Sequence, residues 1–259
     1  MGVTRLGIRS GESARAEASL VAKRLEAELV VVEAGSDPEA GLRAALADGV
    51  ADVVLLPAPA LAAGAATPAA IAKRRDARDA FVGTATLDAL PPGSRVTVDS
   101  PLRRAQVLSR RSDLDLVFAM PADAEGSGNR VTSLASLEDP EDADELFQID
   151  DWPTAPGQGG LVLLTRKKDE RLVTSVDHRP SRLAILAELG VLARVGPSLA
   201  PLLAAHALFD DGLLFLSARV YRPDGSGQVT SSHALYPEDS KDPVGDIATR
   251  VADELLAGV

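Results

Sequence analysis

The N-terminal part of the chain alternates short apolar runs with amphipathic stretches, and this alternation restricts the fold more than any other feature. Apolar runs at 4–8, 29–32 and 53–56 have the length of buried strands. The stretches 13–27 and 38–47 carry apolar residues at helical spacing, and Asp37 before Pro38 is a typical helix start. This order of strands and helices predicts a parallel sheet covered by helices.

The remainder of the chain predicts a second α/β lobe and a smaller α+β lobe. A turn at 90–93 precedes a strand, and acidic stretches at 122–129 and 137–151 indicate loops or weakly packed helix, so the second lobe looks reduced. The turn sequences DDG and RPDG indicate hairpins in an antiparallel sheet. Further elements are expected as a helix at 102–108, a strand at 114–119, a strand at 161–165, a helix at 180–192, strands at 205–209, 213–221 and 228–236, and a helix at 244–257.

Composition excludes several classes of partner. The net charge of -11 over 259 residues argues against nucleic acid or an anionic membrane surface, because both favour basic proteins. The N-terminal sequence has no apolar signal-peptide stretch, and no apolar run approaches a membrane span, so we expect a cytoplasmic location. We also expect a monomer. The three histidines share no metal-ligand spacing, so we expect no metal site.

Arginines are the candidate ligand-binding residues. Arg103 and Arg104 open a helix after a strand, where anions often bind, although a solvated helix start has the same pattern. Arg9 stands at a strand end in a similar setting. The turn PGQGG, which contains Gln158, fits a phosphate cradle or, more simply, a tight turn. The basic run KRR at 73–75 fits an exposed helix end or a docking patch.

Six segments in the same order resemble motifs of the porphobilinogen deaminase (hydroxymethylbilane synthase) family. They cover nearly the whole chain, and their order is more specific than any one of them. The segments are LGIRS (6–10), KRRDARDAFV (73–82), LPPGSRV (90–96), SPLRRAQ (100–106), APGQGG (155–160) and YRPDGS (221–226).

The resemblance implies a three-domain fold. We expect two periplasmic-binding-protein-like parallel-sheet lobes, formed by 1–84 with 157–175 and by 85–156, and a C-terminal α+β domain at 176–259 with a three-stranded antiparallel sheet. It also implies condensation of porphobilinogen units on a dipyrromethane cofactor held by a cysteine thioether. Arg9, Arg103, Arg104 and Gln158 are then the positions expected to bind the substrate's carboxylates, for which forked guanidinium donors are suited.

The chain departs from the family pattern where the chemistry is performed. It has no cysteine; Pro197 occupies the cofactor position, and Ser198 follows it. In the catalytic segment, Pro59 stands at the lysine position and Ala60 at the aspartate position. The two substrate arginines of the R-G-N-V-x-T-R-L motif are serines, at positions 127 and 133.

These losses favour a scaffold released from deaminase chemistry, because groups that act as a unit fail as a unit. The first hypothesis is a catalytically degenerate member that binds a carboxylate-bearing small molecule or regulates tetrapyrrole synthesis, with no covalent cofactor. The second is an active synthase whose cofactor is anchored without cysteine. The third is a solute-binding module, against which the missing signal peptide and the third lobe count.

Overall fold

The computed structural model describes residues 3–33, 37–61, 67–119, 128–137 and 139–259, without the side chains of residues 12 and 13. Most of the acidic stretch predicted at 122–129, and residue 138, lie outside the described residues. Three sheets are distributed over two compact units. Unit 1 comprises Met1–Arg75 and Gly159–Leu183, and unit 2 comprises Asp76–Gln158 and Ala184–Val259.

Unit 1 is built on a five-stranded sheet with the order β2-β1-β3-β10-β4. Its strands and helices are β1 (Thr4–Arg9), α1 (Glu12–Leu25), β2 (Ala27–Val32), α2 (Pro38–Ala47), β3 (Val53–Pro57), β4 (Ala70–Ile71) and β10 (Leu161–Thr165). Strand β1 pairs in parallel with β2 and β3, as the alternation predicts. Strand β10 instead runs antiparallel to β3 and β4. It enters from far along the chain, so no short helical crossover imposes parallel pairing on it.

The core of unit 1 consists of aliphatic side chains, many of them alanine and valine. Leu6 and Ile8 of β1 point into it, and Ala18 and Val21 of α1 cover them. Helix α2 begins as its sequence predicts, because the Asp37 side chain accepts a hydrogen bond from the Ala40 N–H at 3.0 Å.

Unit 2 contains the second five-stranded sheet, in the order β7-β6-β8-β5-β9. Strand β6 runs parallel to β7 and β8, and β5 runs antiparallel to β8 and β9. The sheet is therefore mixed, with two parallel and two antiparallel pairings, and residues 79–82 pair here although the predicted boundary at residue 84 assigned them to the first lobe. The elements are β5 (Asp79–Val82), β6 (Arg95–Val98), α3 (Pro101–Arg110), β7 (Asp115–Phe118), β8 (Arg130–Ser133) and β9 (Glu145–Leu146).

The third sheet is a three-stranded antiparallel meander, as predicted, and also belongs to unit 2. Helix α5 (Pro243–Gly258) packs on it through a buried aliphatic face that includes Val251 and Leu255. The elements are α4 (Arg179–Val195), β11 (Leu203–Asp210), β12 (Leu213–Tyr221), β13 (Gln228–Leu235) and α5 (Pro243–Gly258).

The turn between β12 and β13 lies against α3. Gly225 has φ +73°, and a Cβ atom placed on it would come within 2.5 Å of the Ser109 backbone nitrogen. Only glycine satisfies both the positive φ and this close approach. The turn therefore fixes the third sheet to the helix that carries Arg103 and Arg104.

Candidate functional site

A buried ion-pair network surrounds Arg103 on the first turn of α3. One guanidinium nitrogen, Nη2, donates to Asp79 Oδ1 at 2.7 Å, and the other, Nη1, donates to Asp99 Oδ1 at 2.6 Å. Only 11% of the Arg103 side chain and 1% of the Asp79 side chain are exposed. Helix α3 begins at the Ser100 cap, whose hydroxyl accepts from the Arg103 N–H at 3.2 Å. The strand–cap–helix sequence thus places this guanidinium beneath the protein surface.

Neutral donors complete the coordination of Asp79. Gln158 Nε2 donates to Asp79 Oδ1 at 2.7 Å, and its Oε1 accepts from Arg103 Nη2 at 3.1 Å. Trp152 Nε1 donates to Asp79 Oδ2 at 3.1 Å. The structure therefore brings together two predicted residues, Arg103 and Gln158, around an aspartate that the sequence analysis did not select.

The three charged groups of this network, Arg103, Asp79 and Asp99, carry a net negative charge. Burial alone would lower the pKa of Arg103, but the charges of Asp79 and Asp99 outweigh it and raise that pKa above its ordinary value. One guanidinium faces two carboxylates, so the formal charge of the three groups is negative. Arg103 as found here is a structural cation, and its assignment to substrate binding stays a prediction.

Gln158 is held in place by a buried glutamate. Glu188 on α4 is fully buried, and it accepts from the Gly157 N–H and from the Ala207 N–H, each at 2.7 Å. Gly157 lies in the PGQGG turn, directly before Gln158. One carboxylate thus ties the turn to β11, and the turn presents its amide side chain to Asp79.

Arg104 and Arg9 have different surroundings. Arg104 is half-buried and donates from Nη1 to the Pro223 carbonyl at 3.0 Å, in the turn that lies against α3. Arg9 is exposed at the end of β1 in unit 1, and it forms no ion pair with any residue that the structure describes. Neither guanidinium is neutralised by a carboxylate among the described residues.

All but one of the positions that depart from the family pattern lie among the described residues. Ala60 lies in a short 3-10 helix after β3 and is 4% exposed, whereas Pro59 beside it is exposed. Pro197 and Ser198 form an exposed loop after α4. Ser133 ends β8, and position 127 lies outside the described residues.

Two residues of the network, Asp79 and Asp99, were not predicted from the sequence. Asp79 precedes the apolar run Ala80–Val82, and a carboxylate at the edge of such a run is a signal of buried pairing. Asp99 stands four residues before Arg103, the spacing of an ion pair at a helix start.

Comparison with known proteins identifies the family. The family model for "Porphobilinogen deaminase, dipyromethane cofactor binding domain" matches residues 39–120. Porphobilinogen deaminase of Leifsonia xyli is 36% identical over 83% of this chain and 74% of its own length. The enzyme of the same name from Acidothermus cellulolyticus is 30% identical over 99% of this chain and 89% of its own.

Among solved structures, the methionine-binding protein MetQ aligns with a TM-score of 0.44 and 14% identity, over 67% of this chain and 86% of that one. Within the part of the chain that the structure describes, no helix has the length and apolar character of a membrane span. Identities of 36% and 30% over most of the length of two relatives establish that this chain belongs to the porphobilinogen deaminase family of tetrapyrrole biosynthesis.

Proposed function

We propose that this chain is a catalytically degenerate porphobilinogen deaminase, a cytoplasmic monomer that binds a carboxylate-bearing small molecule or acts as a regulatory partner in tetrapyrrole synthesis. The observation that carries the proposal is the absence of cysteine from all 259 residues. A thioether needs a thiolate nucleophile, and the side chains at the corresponding loop, Pro197 and Ser198, supply none. The residues present therefore do not fit a thioether-anchored dipyrromethane.

The second line of support is the replacement of the acid. Ala60 stands where the family resemblance places the catalytic aspartate, and the 4% exposure of Ala60 leaves little room for a carboxylate to be added there without rearrangement. A cationic intermediate formed by loss of ammonia would have no carboxylate at this position to stabilise it. The anchor and the acid are absent together.

Carboxylate binding is assigned to the cations that remain. Arg9 and Arg104 face no carboxylate among the described residues, so each has donors to offer an anion. Arg103 and Gln158 contribute by holding the α3 start and the PGQGG turn in place around Asp79. In this proposal Arg9 and Arg104 contact the ligand's carboxylate, and Arg103 and Gln158 hold the surrounding backbone in position.

A second candidate is an active hydroxymethylbilane synthase with a differently anchored cofactor. The relatives carry the name of the active enzyme, and Ser198 is exposed beside the position of the missing cysteine. A serine ether would need activation of a weak nucleophile.

The test is turnover of porphobilinogen by the purified protein, followed as uroporphyrin absorbance after acid oxidation, with an active deaminase as positive control. We expect no product above background and an intact mass equal to that of the unmodified chain. Product formation, or an added mass that Ser198→Ala removes, would refute degeneracy and establish the second candidate. Size-exclusion chromatography with light scattering tests the monomer.

A further inference from the structure

A cavity lies in unit 2, and neither Arg103 nor Arg104 is among its lining residues. Its volume is about 520 Å³, within the range of small-molecule sites. It opens between the end of α3, the segment around β9 and strand β12. Its lining includes Gln106, Arg110, Phe147, Trp152, Arg219 and Tyr221.

Of the two arginines that line this cavity, Arg219 has no carboxylate partner among the described residues, whereas Arg110 has two. Its Nη1 donates to the Asp151 carbonyl at 3.3 Å and to the Tyr221 hydroxyl at 3.2 Å, and its Nη2 donates to the Asp150 carbonyl at 3.3 Å. All of these acceptors are neutral, and all of these hydrogen bonds are long. Among the described residues, no carboxylate forms an ion pair with this guanidinium.

The cavity wall also has unmet hydrogen bonds. Arg219 Nε and Gln106 Oε1 are buried and have no hydrogen-bond partner among the described residues. Arg219 Nε is a donor and suits an oxyanion, whereas Gln106 Oε1 is an acceptor and does not. A guanidinium with an idle donor and long bonds to neutral oxygens gains more from an oxyanion than one that is already paired.

The other charges of the cavity are already balanced or face solvent. Arg110 pairs with Glu145 at 2.9 Å and with Asp88 at 2.5 Å. Asp151 is exposed, and its contact with Arg219 is through the backbone carbonyl. The position available to an anion is therefore the one beside Arg219.

Aromatic rings form the rest of the wall. Phe147 and Trp152 stack with ring centroids 4.2 Å apart, and Arg219 lies 5.9 Å from the centre of the Tyr221 ring. Rings and a single available guanidinium favour a ligand that has a flat apolar body and one carboxylate. We infer that this cavity binds a small aromatic carboxylate, with its carboxylate on Arg219.

Trp152 is the single tryptophan of the chain and lines the cavity, so its emission reports binding directly. The probes are benzoate and its neutral isostere benzamide, titrated into the full-length protein. We expect benzoate to change the emission saturably, with a Kd at least tenfold lower than that of benzamide. Equal affinities would overturn the assignment of charge recognition to the cavity, and no saturable binding of benzoate would overturn the site itself.

Variants locate the carboxylate. Arg219→Gln should weaken benzoate at least tenfold and leave benzamide unchanged, whereas Arg95→Gln, at a highly exposed arginine, should change neither. Unliganded Trp152 emission checks that each variant is folded, and Arg219→Lys, which keeps the charge but loses the forked donors, gives a second, milder loss if Arg219→Gln does not fold. Unchanged benzoate affinity in folded Arg219→Gln would refute the inference. Because Arg9 and Arg104 are intact in every variant, benzoate bound by those two residues would persist in Arg219→Gln, and this distinguishes the cavity from the site of the proposed function.

Discussion

Removal of the Arg103 guanidinium tests whether the buried network or the packing of α3 holds unit 2 together. Arg103→Met keeps the length and apolar stem of the side chain but leaves Asp79, which is 1% exposed, without its cation. Removing one partner of a buried ion pair costs about 3–5 kcal/mol, because an uncompensated charge stays in the interior. At about 2–4 °C per kcal/mol for a chain of this size, we expect Tm to fall by roughly 6–20 °C.

The neighbouring residue provides the control. Arg104→Met removes the same group one position along the helix, where it has one hydrogen bond to a carbonyl and is half-buried. A loss of about 0–1 kcal/mol is expected there. The assay is thermal unfolding followed by Trp152 emission, which reports unit 2 because Trp152 is the only tryptophan and donates to Asp79.

The double variant separates charge from packing. In Asp79→Asn/Arg103→Met both charges are gone, so the loss should be smaller than the sum of the two single losses by more than about 1 kcal/mol. Equal Tm values for Arg103→Met and Arg104→Met, or strict additivity in the double variant, would show that the network contributes no net coupling and would refute this reasoning.

Three further measurements address other parts of the fold. The hydrogen bonds from Arg5 lower the pKa of Asp52 to about 2. The free energy of unfolding should therefore fall by about 1–2 kcal/mol as the pH is lowered from 4 through 2, because the carboxylate is protonated over this range. In melts at acid pH followed by circular dichroism, Asp52→Asn should show a smaller fall. Gly225→Ala should lower Tm more than Gly212→Ala. Both glycines have positive φ, but only at Gly225 would an added Cβ lie 2.5 Å from a backbone atom, the Ser109 nitrogen. Equal decreases in Tm would contradict this close approach. Glu188→Gln should lower the free energy of unfolding by about 1.5–3 kcal/mol, measured in denaturant with Trp152 emission, because either the Gly157 N–H or the Ala207 N–H would then face an amide NH₂. An unchanged free energy would contradict the role of Glu188 in tying the turn to β11.

The sequence predicts the elements whose formation depends on local signals. Helix α2 occupies Pro38–Ala47 as expected from its cap, and β10 and β12 occupy the predicted apolar runs. Strands β5, β8 and β9 were not predicted, since they are two to four residues long and each begins with a charged residue. Their pairing is decided by partners far along the chain, and no periodicity of 2 can be read from so few residues.

The roles of the arginines depend on tertiary charge balance in a way that sequence motifs do not record. Arg103 stands in the more conspicuous motif, yet it faces two carboxylates, so an added anion would meet a net negative charge. Arg219 lies outside the six motif segments, and its described partners are neutral oxygens beside a cavity of about 520 Å³. Coulomb attraction at a half-buried site favours the second position over the first. A carboxylate bound in this cavity should therefore depend on the charge of Arg219, and depend on Arg103 only through the stability of the fold.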